Sequence, residues 1–331
     1  MICVDAQRET VASALRPGAM IVIVAPHPDD ESLAAGGLIQ RARARGARVA
    51  VVFMTDGDMN PWPQRAAETR AVIGRSDRVR WGRRRRAEAH AALTVLGVHA
   101  DAVHVLGMAD MGLTEALARD PAGASVPVAT LLHELAPDLV VLPSLYDTHP
   151  DHSAAHVMWM LALHRAACDA GVATYAVHGR DDSTASEFEI SASELATKMR
   201  AVGEHASQLV LSRRRMLAYA KRPERFAVGR VEQAGARPDA PALLRWRAGS
   251  VMAQLCRLLI VTGDAAWRVP IGEASAGPVT ADAPRCVRVP ARRLSVIMPR
   301  GIVAGAPVFA KLYARVSMPW IYDRWGWERI S

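Results

Sequence analysis

The chain has 331 residues, 50% hydrophobic and 22% charged, a globular composition with ample length to bury a core as one large domain with an extension or as two domains. It lacks a run of about 18 apolar residues and an amino-terminal charged-then-apolar signal, so neither a membrane span nor that secretion route is expected. Its four cysteines, Cys3, Cys168, Cys256 and Cys286, form no CxxC pair, which argues against a thiolate zinc site or a disulfide framework and leaves a reduced cytoplasm as the expected location. The formal charge of +8 raises nucleic acid or an anionic surface as partners. Lysine occurs only at Lys198, Lys221 and Lys311, however, and an arginine skew beside abundant alanine reads as codon bias, so no nucleic-acid partner is expected.

The first apolar run, Met20-Ile-Val-Ile-Val24, is rich in β-branched residues and reads as a buried strand that Pro26 and Pro28 bring to an end. A helical pattern follows, with Leu33, Gly37, Leu38 and Ala42 at helical spacing and Asp29 or Asp30 as its N-cap. His27, Asp29 and Asp30 are thereby gathered at the carboxyl end of a strand, the edge at which open α/β sheets bind ligands. An imidazole and a carboxylate three residues apart suit a borderline-soft divalent metal, and a second carboxylate beside it suits proton removal from water.

Arg48 to Met54 reads as a second strand, followed by the loop Thr55-Asp-Gly-Asp58 and by mostly helical residues 64–97, interrupted at Gly74 and at Trp81-Gly82. Arg83 to Arg86 reads as a solvated helix face with one or two arginines turned toward an anionic ligand. Val103 to Leu106 is a third strand, residues 126–136 a helix, and Asp138 to Pro143 a fourth strand, after which Thr148-His-Pro-Asp-His152 repeats the first layout of strand, proline-containing loop and helix start. A catalytic zinc needs a third protein ligand, and this second loop offers one if the two strands are neighbours. The alternation predicts a doubly wound, mostly parallel, Rossmann-like α/β sheet flanked by helices. No GxGxxG or GxxxxGK[ST] loop follows a strand, which weighs against a dinucleotide or P-loop enzyme.

Residues 171–178 predict a further strand and 191–211 a helix, with Ser191 and Glu194 as its capping box. From about residue 234 the chain turns rich in Pro, Gly and Ala, and five of its eight tryptophans lie at 246, 267, 320, 325 and 327. A division into a catalytic domain, 1–233, and an extension, 234–331, is expected, the extension being packed on the domain or, through its Trp-rich tail, in peripheral contact with a membrane surface.

Pro26-His-Pro-Asp-Asp-Glu31 and His149-Pro-Asp-His152, in this order and spacing, resemble the PIG-L/LmbE-like family of zinc-dependent N-acetylglucosamine deacetylases. Thr55 to Asp58, Arg85, Glu88, Leu96-Gly97, Lys198, Ala201, His205, Ser207 and Gln208 add to the likeness, which covers roughly residues 19–212. The resemblance implies His27, Asp30 and His152 as ligands of Zn2+ or Fe2+, Asp29 as the base, His149 as the group serving the oxyanion and the leaving amine, and Asp151 as the holder of its ring. It further implies Arg85, Asp110 and Tyr146 as substrate-binding residues and, as substrate, an N-acetyl amino sugar of a glycoconjugate, free or lipid-linked; the expected location of the protein is the cytoplasm, with peripheral contact at the inner face of the membrane as the variant. Two other readings stay open: an amidase or esterase acting on a thiol conjugate or another acyl group, and a non-catalytic basic protein that binds nucleic acid or membrane.

Overall fold

The computed structural model describes residues 11–179, 184–229, 242–247, 255–273, 284–289, 293–298, 306–314 and 325–330. After a short helix α1 (Val11–Ala14), the order is β1 (Met20–Ala25), α2 (Asp30–Ala44), β2 (Arg48–Thr55), α3 (Pro61–Glu68), α4 (Arg75–Val95), β3 (Val103–Met108), α5 (Leu113–Arg119), α6 (Pro121–Leu135), β4 (Leu139–Pro143), α7 (Pro150–Arg165) and β5 (Gly171–Tyr175). There follow β6 (Ser186–Phe188), α8 (Ala192–Glu204), α9 (Ala206–Ala220) and β7 (Glu224–Gly229).

These strands form one seven-stranded sheet in the order β3-β2-β1-β4-β5-β7-β6. The first five strands are parallel, and β7 runs antiparallel to both β5 and β6. Such strands are buried on both faces, so β1 and β4 are continuous apolar runs without a polar side. Met20, Val22 and Val24 point into the layer made by α5, α6 and α7. Ile21 and Ile23 point into the layer containing α2 and α4. Pairing of β1 with β4 puts the two histidine loops side by side at the point where the chain order reverses, the crevice that doubly wound sheets use for ligands.

Three boundaries differ from the sequence pattern. Helix α4 runs unbroken through Trp81 and Gly82, because Gly82 is a packing glycine: a Cβ there would stand 2.9 Å from the Asp56 Cβ. Helix α6 starts five residues earlier than the pattern suggests, with Asp120 capping the Gly123 N–H and Pro121 in its first turn. The helix expected over 191–211 keeps its Ser191–Glu194 capping box but is two helices, broken at His205.

The extension is a second seven-stranded sheet. Its strands β8 (Ala242–Arg247), β9 (Cys256–Val261), β10 (Ala266–Glu273), β11 (Arg285–Val289), β12 (Arg293–Ile297), β13 (Phe309–Ala314) and β14 (Glu328–Arg329) lie in the order β14-β13-β9-β10-β11-β12-β8. Alternation decides where it packs. Leu259, Val261 and Phe309 join the core beneath α5 to α7, while Leu258, Ile260, Ala310 and Leu312 enter a separate core of the extension. Trp327 is 1% exposed and belongs to the first of these cores, so that tryptophan of the tail faces protein; residues 315–324 lie outside the described residues. No helix among the described residues is long and apolar enough to cross a membrane.

Candidate metal centre

The first loop is held open by its neighbours. Thr55, at the end of β2, donates through both N–H and hydroxyl to the Pro26 carbonyl, at 3.1 and 2.9 Å, and the Tyr175 hydroxyl donates to the Val24 carbonyl at 2.6 Å. The His27 N–H donates to Asp30 Oδ2 at 2.9 Å, closing the turn into α2.

Three ligand atoms then meet. His27 Nδ1 lies 3.3 Å from Asp30 Oδ2 and 3.3 Å from His152 Nε2, and His152 Nε2 lies 3.1 Å from Asp30 Oδ2. Ligands about 2.0–2.1 Å from a tetrahedral zinc are separated by roughly 3.3 Å, so the set fits such an ion. All three side chains are buried. Each imidazole has a carboxylate behind it, the usual arrangement for fixing a ligand's tautomer. His152 Nδ1 is 3.1 Å from Asp147 Oδ2; His27 Nε2 is 3.2 Å from Asp110 Oδ1 and 3.5 Å from Asp151 Oδ2. His149 and His178 border the same cluster, and ligand atoms of Asp30, His152 and His178 also fall within 4.8 Å of one another.

The profile of the family described as GlcNAc-PI de-N-acetylase, PIG-L, matches residues 22–163, the segment that carries both loops. Over this segment the chain is similar to the PIG-L/LmbE-like de-N-acetylases. Over 153 residues the chain is 34% identical to the 1D-myo-inositol 2-acetamido-2-deoxy-alpha-D-glucopyranoside deacetylase of Corynebacterium glutamicum strain R, covering 42% of this chain and 51% of that one. The chain thus spans about half the length of that relative. The N,N'-diacetylchitobiose deacetylase of Pyrococcus horikoshii superposes with a TM-score of 0.53 at 18% identity, over 67% of this chain and 88% of that one. A zinc-inhibited form of the teicoplanin deacetylase Orf2 superposes with a TM-score of 0.51 at 19% identity, over 64% and 98%. At these identities the structural likeness is one of fold.

Electrostatics at the ligand triangle favour a cation. Burial works against charge on His27 and His152, yet the carboxylates around them win, raising His27 well above the ordinary range and His152 to about 10. Asp30 is held low against its burial by His152 and His27. The pull that places protons on these imidazoles is the pull a divalent ion would meet at the same atoms. Burial pushes Asp29 up to about 6, with Arg85 pulling it down and Asp30 pushing it further up. Burial, together with the charges of His27, His152 and His178, drives His149 far down.

The remaining expected residues fall as follows. His149 N-caps α7, its Nδ1 accepting the Asp151 N–H at 3.3 Å, an arrangement that puts the proton of a neutral ring on Nε2. The Asp151 carboxylate accepts the Met111 N–H at 2.6 Å and the Leu113 N–H at 3.2 Å and borders His27. Arg85 is buried: it donates to the carbonyls of Gly57 at 2.5 Å and Pro28 at 2.8 Å and lies 3.2 Å from Asp29 Oδ2. Gly57, at φ 61°, leaves it room, since a Cβ there would collide with the guanidinium. Asp110 is joined to the Met59 N–H at 2.6 Å as well as to His27. Tyr146 stands on the loop before α7, 42% exposed.

Sequence reasoning missed Asp147 and His178. Asp147 takes four contacts, from His152 Nδ1 and from the N–H groups of His149, Val177 and His178 at 2.9 to 3.1 Å. Its signal was an aspartate five residues before His152, unremarkable without knowing that the β5 loop closes over it.

Proposed function

We propose that the chain is a metal-dependent hydrolase that removes the acetyl group from an N-acetylglucosamine-type amino sugar of a glycoconjugate. The observation that carries this reading is the triangle of His27, Asp30 and His152, with a second buried carboxylate, Asp29, next to Asp30 in the chain. Zinc or ferrous iron bound by that triangle would polarise the acetamide carbonyl and acidify water. Asp29 takes the proton of the attacking water. Its buried, partly opposed charge makes the carboxylate a better base than one in solvent. His149 presents Nε2–H to the oxygen on which negative charge develops, and the proton that Asp29 has taken from water passes to the departing nitrogen as the C–N bond breaks. Asp110 and Asp151 fix the ring of His27, and Asp147 that of His152. Arg85 acts on Asp29 from behind instead of meeting the substrate first.

The sugar and its aglycone lie against the loops that follow β2, β3 and β4, where Met59, Met111 and Tyr146 are exposed. The test is release of acetate and free amine from soluble and lipid-linked N-acetylglucosamine conjugates, with chelation and add-back of zinc, iron or cobalt. Chelator-sensitive release from one conjugate is the expected result. No release from any, in protein holding one metal ion per chain, would overturn the substrate assignment and favour a thiol conjugate or another acyl compound.

A further inference from the structure

Asp29 takes φ 146° and ψ −25°, a conformation that residues with a side chain rarely adopt. Helix capping does not account for it, because the Asp29 side chain makes no cap hydrogen bond to α2. A chain of buried contacts does. The Asp29 N–H donates to Glu31 Oε2 at 3.0 Å. The other oxygen of that carboxylate, Glu31 Oε1, accepts the Ser32 hydroxyl at 2.5 Å and lies 3.3 Å from His205 Nε2, which is itself 3.3 Å from Ser32 Oγ. Glu31, Ser32 and His205 are all buried. His205 lies outside the matched family segment, at the residue where the chain breaks between α8 and α9 with φ −77° and ψ 56°. From the opposite flank Arg85 holds the Pro28 carbonyl and borders the Asp29 carboxylate. Residue 29 is gripped on both sides.

We propose that His205, acting through Glu31, is a positioning residue for the base: the pair holds the Asp29 backbone in its strained conformation and so keeps its carboxylate beside the ligand triangle. The proposal rests on the reading of Asp29 as the base. It differs from a packing role in what must change. When the grip is released, residue 29 relaxes toward an ordinary helix-start conformation and its carboxylate turns away, while His27, Asp30 and His152 keep their own contacts.

The experiment compares H205Q, whose amide reaches the place of Nε2, with H205N, whose shorter amide does not, and with E31Q, which removes the negative charge facing His205. The first readout needs neither metal nor turnover: amide exchange and the proton shift of the Asp29 N–H in metal-free protein. Wild type and H205Q should show a protected, downfield amide, and H205N an amide that exchanges at least tenfold faster. The second readout is turnover on whichever conjugate the substrate panel identifies. H205N and E31Q should lose kcat on the order of 10–100-fold with full metal content, H205Q should recover most of it, and KM should stay within about twofold. In a D29A background H205N should cost nothing further, because two residues acting as one unit are not additive. An H205N protein with a lower Tm but an unchanged Asp29 amide and unchanged kcat per folded molecule would make His205 a packing residue and overturn the proposal. If H205N does not fold, E31Q decides by the same two readouts. A wild type that releases no acetate from any conjugate would sink the deacetylase reading alone, and the amide readout would still decide the clamp.

Discussion

The two sheets of this chain have seven strands each, and among the described residues only the first gathers side chains that could hold a metal ion. In the first, five parallel strands run buried on both faces and all their carboxyl ends open on one edge, so residues distant in sequence meet there. In the second, nearly all pairings are antiparallel and β9 and β13 divide their side chains between two cores. The first sheet is built to converge loops, the second to cover a flank. Substitutions in the two should therefore separate: the first should change rate and metal affinity, the second stability.

The largest effect is expected at Asp29. D29A should lower kcat by roughly 10²–10⁴-fold, the usual worth of a general base, while one metal ion stays bound. Full activity in that variant would remove Asp29 from its role. D147N comes next. It leaves His152 in place but weakens the acceptor behind it, which should cost on the order of 10–100-fold in metal affinity or activity. Competition with a chelator measures it, and an unchanged metal affinity together with unchanged kcat would show that the β5 loop is only a cover. In the second sheet, F309A removes a fully buried ring that packs edge-on to His156 of α7, at 6.4 Å between centroids. It should cost about 3–5 kcal/mol of stability in denaturant unfolding, with kcat per folded molecule preserved. A fall in kcat without a change in stability would mean that the extension takes part in the reaction.

What could be read from the sequence follows the same division. Met20 to Val24 and Leu139 to Leu142 announce themselves because a doubly buried strand is a continuous apolar run, and the proline loops after them carry residues whose spacing has chemical meaning. The meeting of His27 with His152 hung on the adjacency of β1 and β4, which no local signal records. Asp147 and His178 were hidden for that reason: each matters through a partner supplied by another loop. The break at His205 was hidden because the apolar spacing of 191–211 is helical on both sides of it. The extension showed least, since Leu258 to Val261 has no polar face even though its residues alternate between two cores.

The smallest expected effect lies at the seam of the two sheets, at Lys311. On β13 it shares the face of Phe309 and Tyr313, which is turned to the core beneath α5 to α7, and it is 5% exposed with its Nζ 5.8 Å from the Trp327 ring. Burial lowers its pKa from 10.5 to about 7, with the Asp151 carboxylate pulling it back up. The folded pKa is therefore below the unfolded one. Between about pH 7 and 10.5 the unfolded chain binds a proton that the folded chain does not, so this lysine makes stability rise with pH across that window. Below about pH 7 both states are protonated, and the full penalty of burying the charge is present. K311M has no such group. Its Tm relative to wild type should be most favourable at pH 6 and should decline steadily toward pH 10, whatever the packing of the methionine adds at all pH values. A Tm difference that stays constant over that range would show that Lys311 keeps its proton in the folded state, and its charge would then count among the fixed charges facing Asp151 behind the His27 ring.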